Sequence, residues 1–225
     1  LGDSRIVGMK QTINKDNITY IAESGMGYNW LVDTARGELD TLLNENPNQV
    51  VVLALGANGL GASNYITYYD KADIINMSFG GYEQSDFEYQ AIEAANKENI
   101  ISIASAGNDN TYEEYYPSAF DNTISIASID SNFNKSDFSN YGSTITFTAP
   151  GTDILSINGT MSGTSMTTPH AASAVAILKS YNKNITLDNT IELLKRCAID
   201  LGSYGQDDYY GYGCINFKGK EFYDG

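Results

Sequence analysis

Histidine is nearly missing from this chain: 225 residues carry one, His170. Any chemistry that needs an imidazole base therefore has a single candidate. Cysteine is almost as scarce. Cys197 and Cys214 allow one bridge or none, and their spacing fits no zinc-binding pattern. Basic residues number 13 against 28 acidic ones, a net charge of −15 that repels a phosphate backbone and argues against nucleic acid as a partner. No apolar run approaches the length that crosses a bilayer. The basic-then-apolar pattern of a signal peptide is missing too, and the abrupt opening Leu1–Gly2–Asp3–Ser4 reads like a strand trimmed of its beginning. What is plentiful is glycine (21) and tyrosine (17), within a chain that is 42% hydrophobic and 18% charged. That is the make-up of an ordinary soluble α/β protein, and the length suits one large domain or two small ones.

Apolar periodicity then alternates between two and three-to-four along the chain. Strands are predicted at Ile18–Ala22, Gln49–Leu55, Asp73–Met77, Ile100–Ala104, Thr123–Ile129 and Ile145–Thr148. Helices are predicted at Leu31–Glu45, Asn64–Lys71, Ser85–Glu98, Thr167–Ser180 and Leu187–Arg196. Continuous runs such as Gln49–Leu55 mark strands buried on both faces of a parallel sheet. The alternation implies a doubly wound, mostly parallel sheet with helices on both faces, a three-layer α/β/α domain covering 1–225. Ligand sites in such folds lie at the C-terminal ends of the strands.

One stretch there carries chemistry. In Met161–Ser162–Gly163–Thr164–Ser165–Met166–Thr167–Thr168–Pro169–His170, glycine-permitted turns lead into the small-residue helix Ala171–Leu178. Ser165 falls near the helix N-terminus, where unpaired N–H groups and the macrodipole favour developing negative charge. For a lone Gly-x-Ser, a Ser/Thr-rich helix cap without chemistry is the better reading. The whole string, however, closely resembles the nucleophile motif of the subtilases, the subtilisin-like serine peptidases. From about residue 72 to 217 further segments resemble that family in order.

Asp73–Gly81 resembles the strand and loop lining its cleft, where an extended peptide adds beside Ser78, Phe79 and Gly80. Ile103–Asn108 resembles the wall of its primary specificity pocket, with Ala104, Ser105 and Ala106 lining it. Asn108 matches the oxyanion-hole asparagine. Tyr116–Ala119, Phe138–Gly142, Thr148–Gly151 and Tyr209–Gly213 are further matches. The resemblance implies Ser165 as nucleophile, a peptide or protein substrate in an extended cleft, and a secreted location. Its His-Gly-Thr-His type of motif is missing. His170 lies five residues after Ser165, about 500° of helical rotation, and so points about 140° away from the serine. It cannot act as its base, and a Ser–His–Asp triad cannot be drawn from this chain.

Residues 1–71 resemble something else. Gly2–Met9 resembles the nucleophile block of the SGNH (GDSL-type) hydrolases, implying Ser4 as a nucleophile. Gly25–Trp30 resembles their second block, with Gly27 as an oxyanion donor, and Leu55–Asn58 their third, with Asn58 as the oxyanion asparagine. The block that supplies that family's base is absent. Leu55–Ser63 also passes for the subtilase segment forming the other groove wall, with Gly61 and Ala62 on it, so a junction is expected within 55–72. Asp3 alternatively stands where subtilases carry the triad acid. A natural recombinant, an engineered chimera and a composite all fit. Three functions follow: a subtilisin-like peptidase impaired by its missing base, an SGNH-type esterase using Ser4, and a non-catalytic peptide-binding scaffold. No cofactor is implied. Calcium suits the acidic charge, but no Asp-x-Asp-x-Asp-Gly loop assigns a metal.

Overall fold

The computed structural model describes residues 35–54, 72–156 and 159–217. Five parallel strands form one sheet: β1 (Val52–Ala54), β2 (Ile74–Met77), β3 (Ile101–Ser105), β4 (Thr123–Ile129) and β5 (Phe147–Pro150), hydrogen-bonded in that order. Their composition explains the burial. The Ile-Ile-Asn-Met, Ile-Ser-Ile-Ala-Ser and Thr-Ile-Ser-Ile-Ala-Ser-Ile runs are buried at every position, as strands covered on both faces must be. Serines tolerate this burial where they find partners, as Ser125 does with Ser118 (Oγ to Oγ, 3.1 Å).

Alternate residues of each strand serve opposite faces. Ile75, Met77 and Ala104 pack with Ile92 and Ala95 of α2 (Asp86–Lys97) and with Ala35 and Leu39 at α1 (Arg36–Glu45). Ile74, Ile101, Ile103, Ile124, Ile126 and Phe147 pack on the other face against Ala171, Ala172, Val175 and Leu178 of α3 (Thr164–Tyr181). Leu187 and Leu194 of α4 (Leu187–Cys197) complete that layer. The three-layer arrangement is the one the alternation implied.

The differences from expectation are local. α3 begins at Thr164 rather than Thr167, because Thr167 and Thr168 turn their hydroxyls back onto the Thr164 carbonyl (2.7 and 2.9 Å) and close the first turn. β5 is displaced two residues toward the C-terminus of the predicted segment, as Ile145 and Thr146 lead into it through loop bonds such as Ile145 N–H to the Gly142 carbonyl. A small antiparallel pair, β6 (Ile154–Ser156) and β7 (Gly159–Met161), was not foreseen. The predicted strand at 18–22 and helix at 64–71 lie outside the described residues, as do Asp3, Ser4, Gly27, Asn58, Gly61, Ala62 and the 55–71 part of the expected junction. Cys197 and Cys214 are both buried thiols, not bridged to one another. Burial pushes the Cys214 thiol up to about 11.

Candidate active site

The C-terminal ends of β2 and β3 meet the N-terminus of α3, and each contact there has a sequence cause. Pro169 lies inside α3 and has no N–H to give the carbonyl one turn back, that of Ser165. Ser78, just past β2, supplies the missing donor: its hydroxyl donates to the Ser165 carbonyl at 3.1 Å. The pairing is reciprocal, since Ser165 Oγ donates to the Ser78 carbonyl at 3.0 Å. Asn76 holds Ser78 in turn, its Nδ2 donating to Ser78 Oγ at 3.0 Å.

Past β3 the chain turns at Gly107, whose φ of +100° suits glycine, and whose missing side chain leaves room for the Asn140 amide. Gly107 N–H donates to Thr164 Oγ1 at 3.2 Å. Asn108 follows, and its Oδ1 accepts from both Thr164 N–H (2.8 Å) and Thr164 Oγ1 (2.9 Å). A backbone N–H can only donate, so this contact fixes which end of the Asn108 amide is oxygen. Its Nδ2 is thereby turned away from Thr164, and no described group accepts from it. Nor does any described group accept from the Ser165 N–H. Two free donors beside a half-buried serine hydroxyl, at the positive end of an 18-residue helix, form an arrangement that can stabilise an oxyanion.

The residues brought together are thus Ser165, Asn108, Ser78, Phe79 and Gly80, with Ala104, Ser105 and Ala106 buried alongside. Phe79 packs into the α2-side core rather than standing free. His170 is not among them. It is exposed on α3 with Nδ1 at 2.9 Å from the Met166 carbonyl. Three contributors were not singled out in the sequence. Thr164 ties both loops to the helix. Asn140 accepts from Asp109 N–H (2.8 Å) and Thr111 N–H (3.3 Å) and donates to Tyr82 Oη (3.2 Å), pinning the loop after Asn108. Tyr115 packs edge-on against Tyr82, ring centroids 5.2 Å apart. Burial raises the Tyr115 hydroxyl pKa, as does the nearby Asp109 carboxylate. Thr164 carried a visible signal, its place beside Ser165 in the motif. Asn140 lay within the matching segment Phe138–Gly142, though nothing there marked its contacts, and Tyr115 carried no signal, because its role depends on which loops meet.

The arrangement is a serine at a helix N-terminus, with an asparagine amide seated on the neighbouring Thr164, at the C-terminal ends of parallel strands. The chain belongs to the subtilase family, whose family model matches residues 12–213. That match runs through most of the segment resembling an SGNH hydrolase. The minor extracellular protease Epr of Bacillus subtilis is 34% identical over 157 residues, 67% of this chain and 24% of Epr. Subtilisin BL of Lederbergia lenta is 31% identical over 176 residues, 73% of this chain and 64% of that protein. The chain spans between about a quarter and two-thirds of the length of these relatives. Among solved structures, the psychrophilic subtilisin-like protease Apa1 of Pseudoalteromonas sp. AS-11 shares the fold. Its TM-score is 0.61 at 17% identity, covering 64% of this chain and 68% of that one.

Proposed function

We propose that this chain carries the nucleophile half of a subtilisin-like serine endopeptidase, in which Ser165 attacks a peptide carbonyl held beside Ser78–Gly80. The Ser165 N–H and Asn108 Nδ2 receive the oxyanion. The observation that carries this reading is the bidentate seat of Asn108 Oδ1 on Thr164, which leaves the opposite end of the amide free next to Ser165. Attack moves the Ser165 proton off Oγ, which among the described residues donates to the weakly basic Ser78 carbonyl. A carbonyl cannot take up that proton as an imidazole does, and the chain's one histidine is spent on the far side of α3. Turnover by this chain alone therefore falls roughly a million-fold below a complete triad, leaving about 10³–10⁴ over water from the oxyanion donors and binding. A location outside the cell suits the kinship with Epr, an extracellular protease by name.

Hydrolysis of a peptide p-nitroanilide by the purified chain tests this. The expected result is slow release that Ser165→Ala abolishes and Ser4→Ala leaves intact. Loss in Ser4→Ala instead favours the SGNH-type esterase. Rapid release abolished by Ser165→Ala shows that a base is present after all, and no release with intact peptide binding favours the non-catalytic scaffold.

A further inference from the structure

At the end of the sheet opposite Ser165, the residues entering β2 and β3 meet the C-terminal turn of α3 around a half-open cavity of about 340 Å³. That size is at the small end of what ligand pockets occupy. Leu43, Pro47, Ala72 and Ile100 give it an apolar wall, and its charged groups are Asp73, Glu98, Lys179 and Lys183. Lys179 is only 2% exposed. Its Nζ donates to the Asn99 carbonyl at 2.5 Å and to the Lys183 carbonyl at 3.1 Å. An ammonium has three N–H donors, and among the described residues nothing accepts the third. Burial pulls the Lys179 pKa below the usual lysine value; the Asp73 carboxylate opposes that fall and Lys183 adds to it. Asp73 is buried as well, at 8% exposure. Its Oδ2 accepts from Val51 N–H at 2.8 Å and lies 3.8 Å from Lys183 Nζ. Its Oδ1 receives no donor among the described residues. Lys183 Nζ is already committed, donating to the Pro47 and Gln49 carbonyls at 3.2 Å each. One cavity thus holds a spare donor on a buried cation and a spare acceptor on a buried anion.

We infer that this cavity binds a free α-amino acid with a mid-sized aliphatic side chain, its carboxylate on Lys179 and its ammonium on Asp73. The chemistry of the lining selects that class. A simple anion meets the carboxylates of Asp73 and Glu98, and a simple cation meets the ammonium groups of Lys179 and Lys183. A zwitterion satisfies both signs at once, with a charge-assisted hydrogen bond at each end. The apolar wall then covers the ligand's side chain. A peptide holds its two terminal charges further apart and loses this pairing. The inference is independent of the peptidase reading, because the cavity and Ser165 lie at opposite ends of α3.

Calorimetric titration of the intact chain with L-leucine, N-acetyl-leucine and leucinamide tests this, since the derivatives remove the ammonium and the carboxylate in turn. Leucine is expected to bind at least about tenfold more tightly than either derivative. Lys179→Met, shown to be folded by its melting transition, is expected to weaken leucine binding by at least about tenfold, and Ser165→Ala to leave it unchanged. Leucine that binds no better than its two derivatives, or not at all, overturns the inference even if Lys179→Met fails to fold. Unchanged leucine binding in a folded Lys179→Met overturns it too. So does binding that Ser165→Ala abolishes, which puts the ligand in the cleft instead. The p-nitroanilide assay reads the nucleophile separately, so either reading can fail alone.

Discussion

At the scale of single residues, Asn108 has two separable jobs. Its oxygen secures the start of α3, and its nitrogen is the candidate oxyanion donor. Asn108→Asp keeps an acceptor for Thr164 and removes the donor, so thermal stability should stay within about 1 kcal/mol while reactivity of Ser165 toward a fluorophosphonate falls by about 10²–10³. Asn108→Leu should lose both, with the melting temperature dropping as Thr164 N–H is left unpaired. Parallel melting and labelling-rate measurements distinguish them. Cys214 offers an independent residue-level check. Its thiol titrates at about 11 in the fold against an ordinary value of 9.0. Because the folded value is the higher one, the unfolded chain releases this proton first as pH rises above 9. The contribution to stability is thus fully present below pH 9 and is lost as pH climbs from 9 to about 11. Urea titrations should show a shallower decline across that window in Cys214→Ala than in the parent. At neutral pH the native thiol should react with a disulfide reagent only after denaturant is added.

The elements show how a site is assembled by local rules. Ser85 begins α2, its Oγ accepting from Glu88 N–H at 3.4 Å, the Ser-x-x-Glu arrangement that starts helices. Ser85→Ala should cost about 1 kcal/mol in urea unfolding and leave Ser165 labelling unchanged, because α2 lies on the face of the sheet opposite α3. Elements of this kind were legible in the sequence: strand β4 fell on its predicted residues, and α2 and α4 within a residue of theirs at each end, because period and caps agree there. β6 and β7 escaped for a physical reason. Each has three residues, and Leu155 and Met161 are exposed, so no buried face imprints alternation on the sequence. The start of α3 was placed late for a different one: threonine has modest helix propensity, and here the hydroxyls of Thr167 and Thr168 close the turn that propensity alone would not.

For the molecule as a whole, the fold positions Ser165 and Asn108 by bringing β2, β3 and α3 to one end of the sheet. The alternation of strands and helices announced the fold class, and the Met161–His170 string with the ordered segments before and after it announced the family. The occupant of the gap between the loops at Gly80 and Gly107 was not legible, because Tyr115 is remote in sequence from Gly80, and one tyrosine among 17 carries no mark of where its ring goes. Every role proposed for this site requires Ser165 to be a nucleophile without a strong base. Prolonged reaction with a fluorophosphonate, followed by mass spectrometry of the digested chain, asks this directly. The predicted result is slow, stoichiometric addition on the peptide containing Ser165, absent in Ser165→Ala and retained in Ser4→Ala. An adduct on Ser4 with none on Ser165, or an intact folded chain that takes up no probe at all, would contradict it.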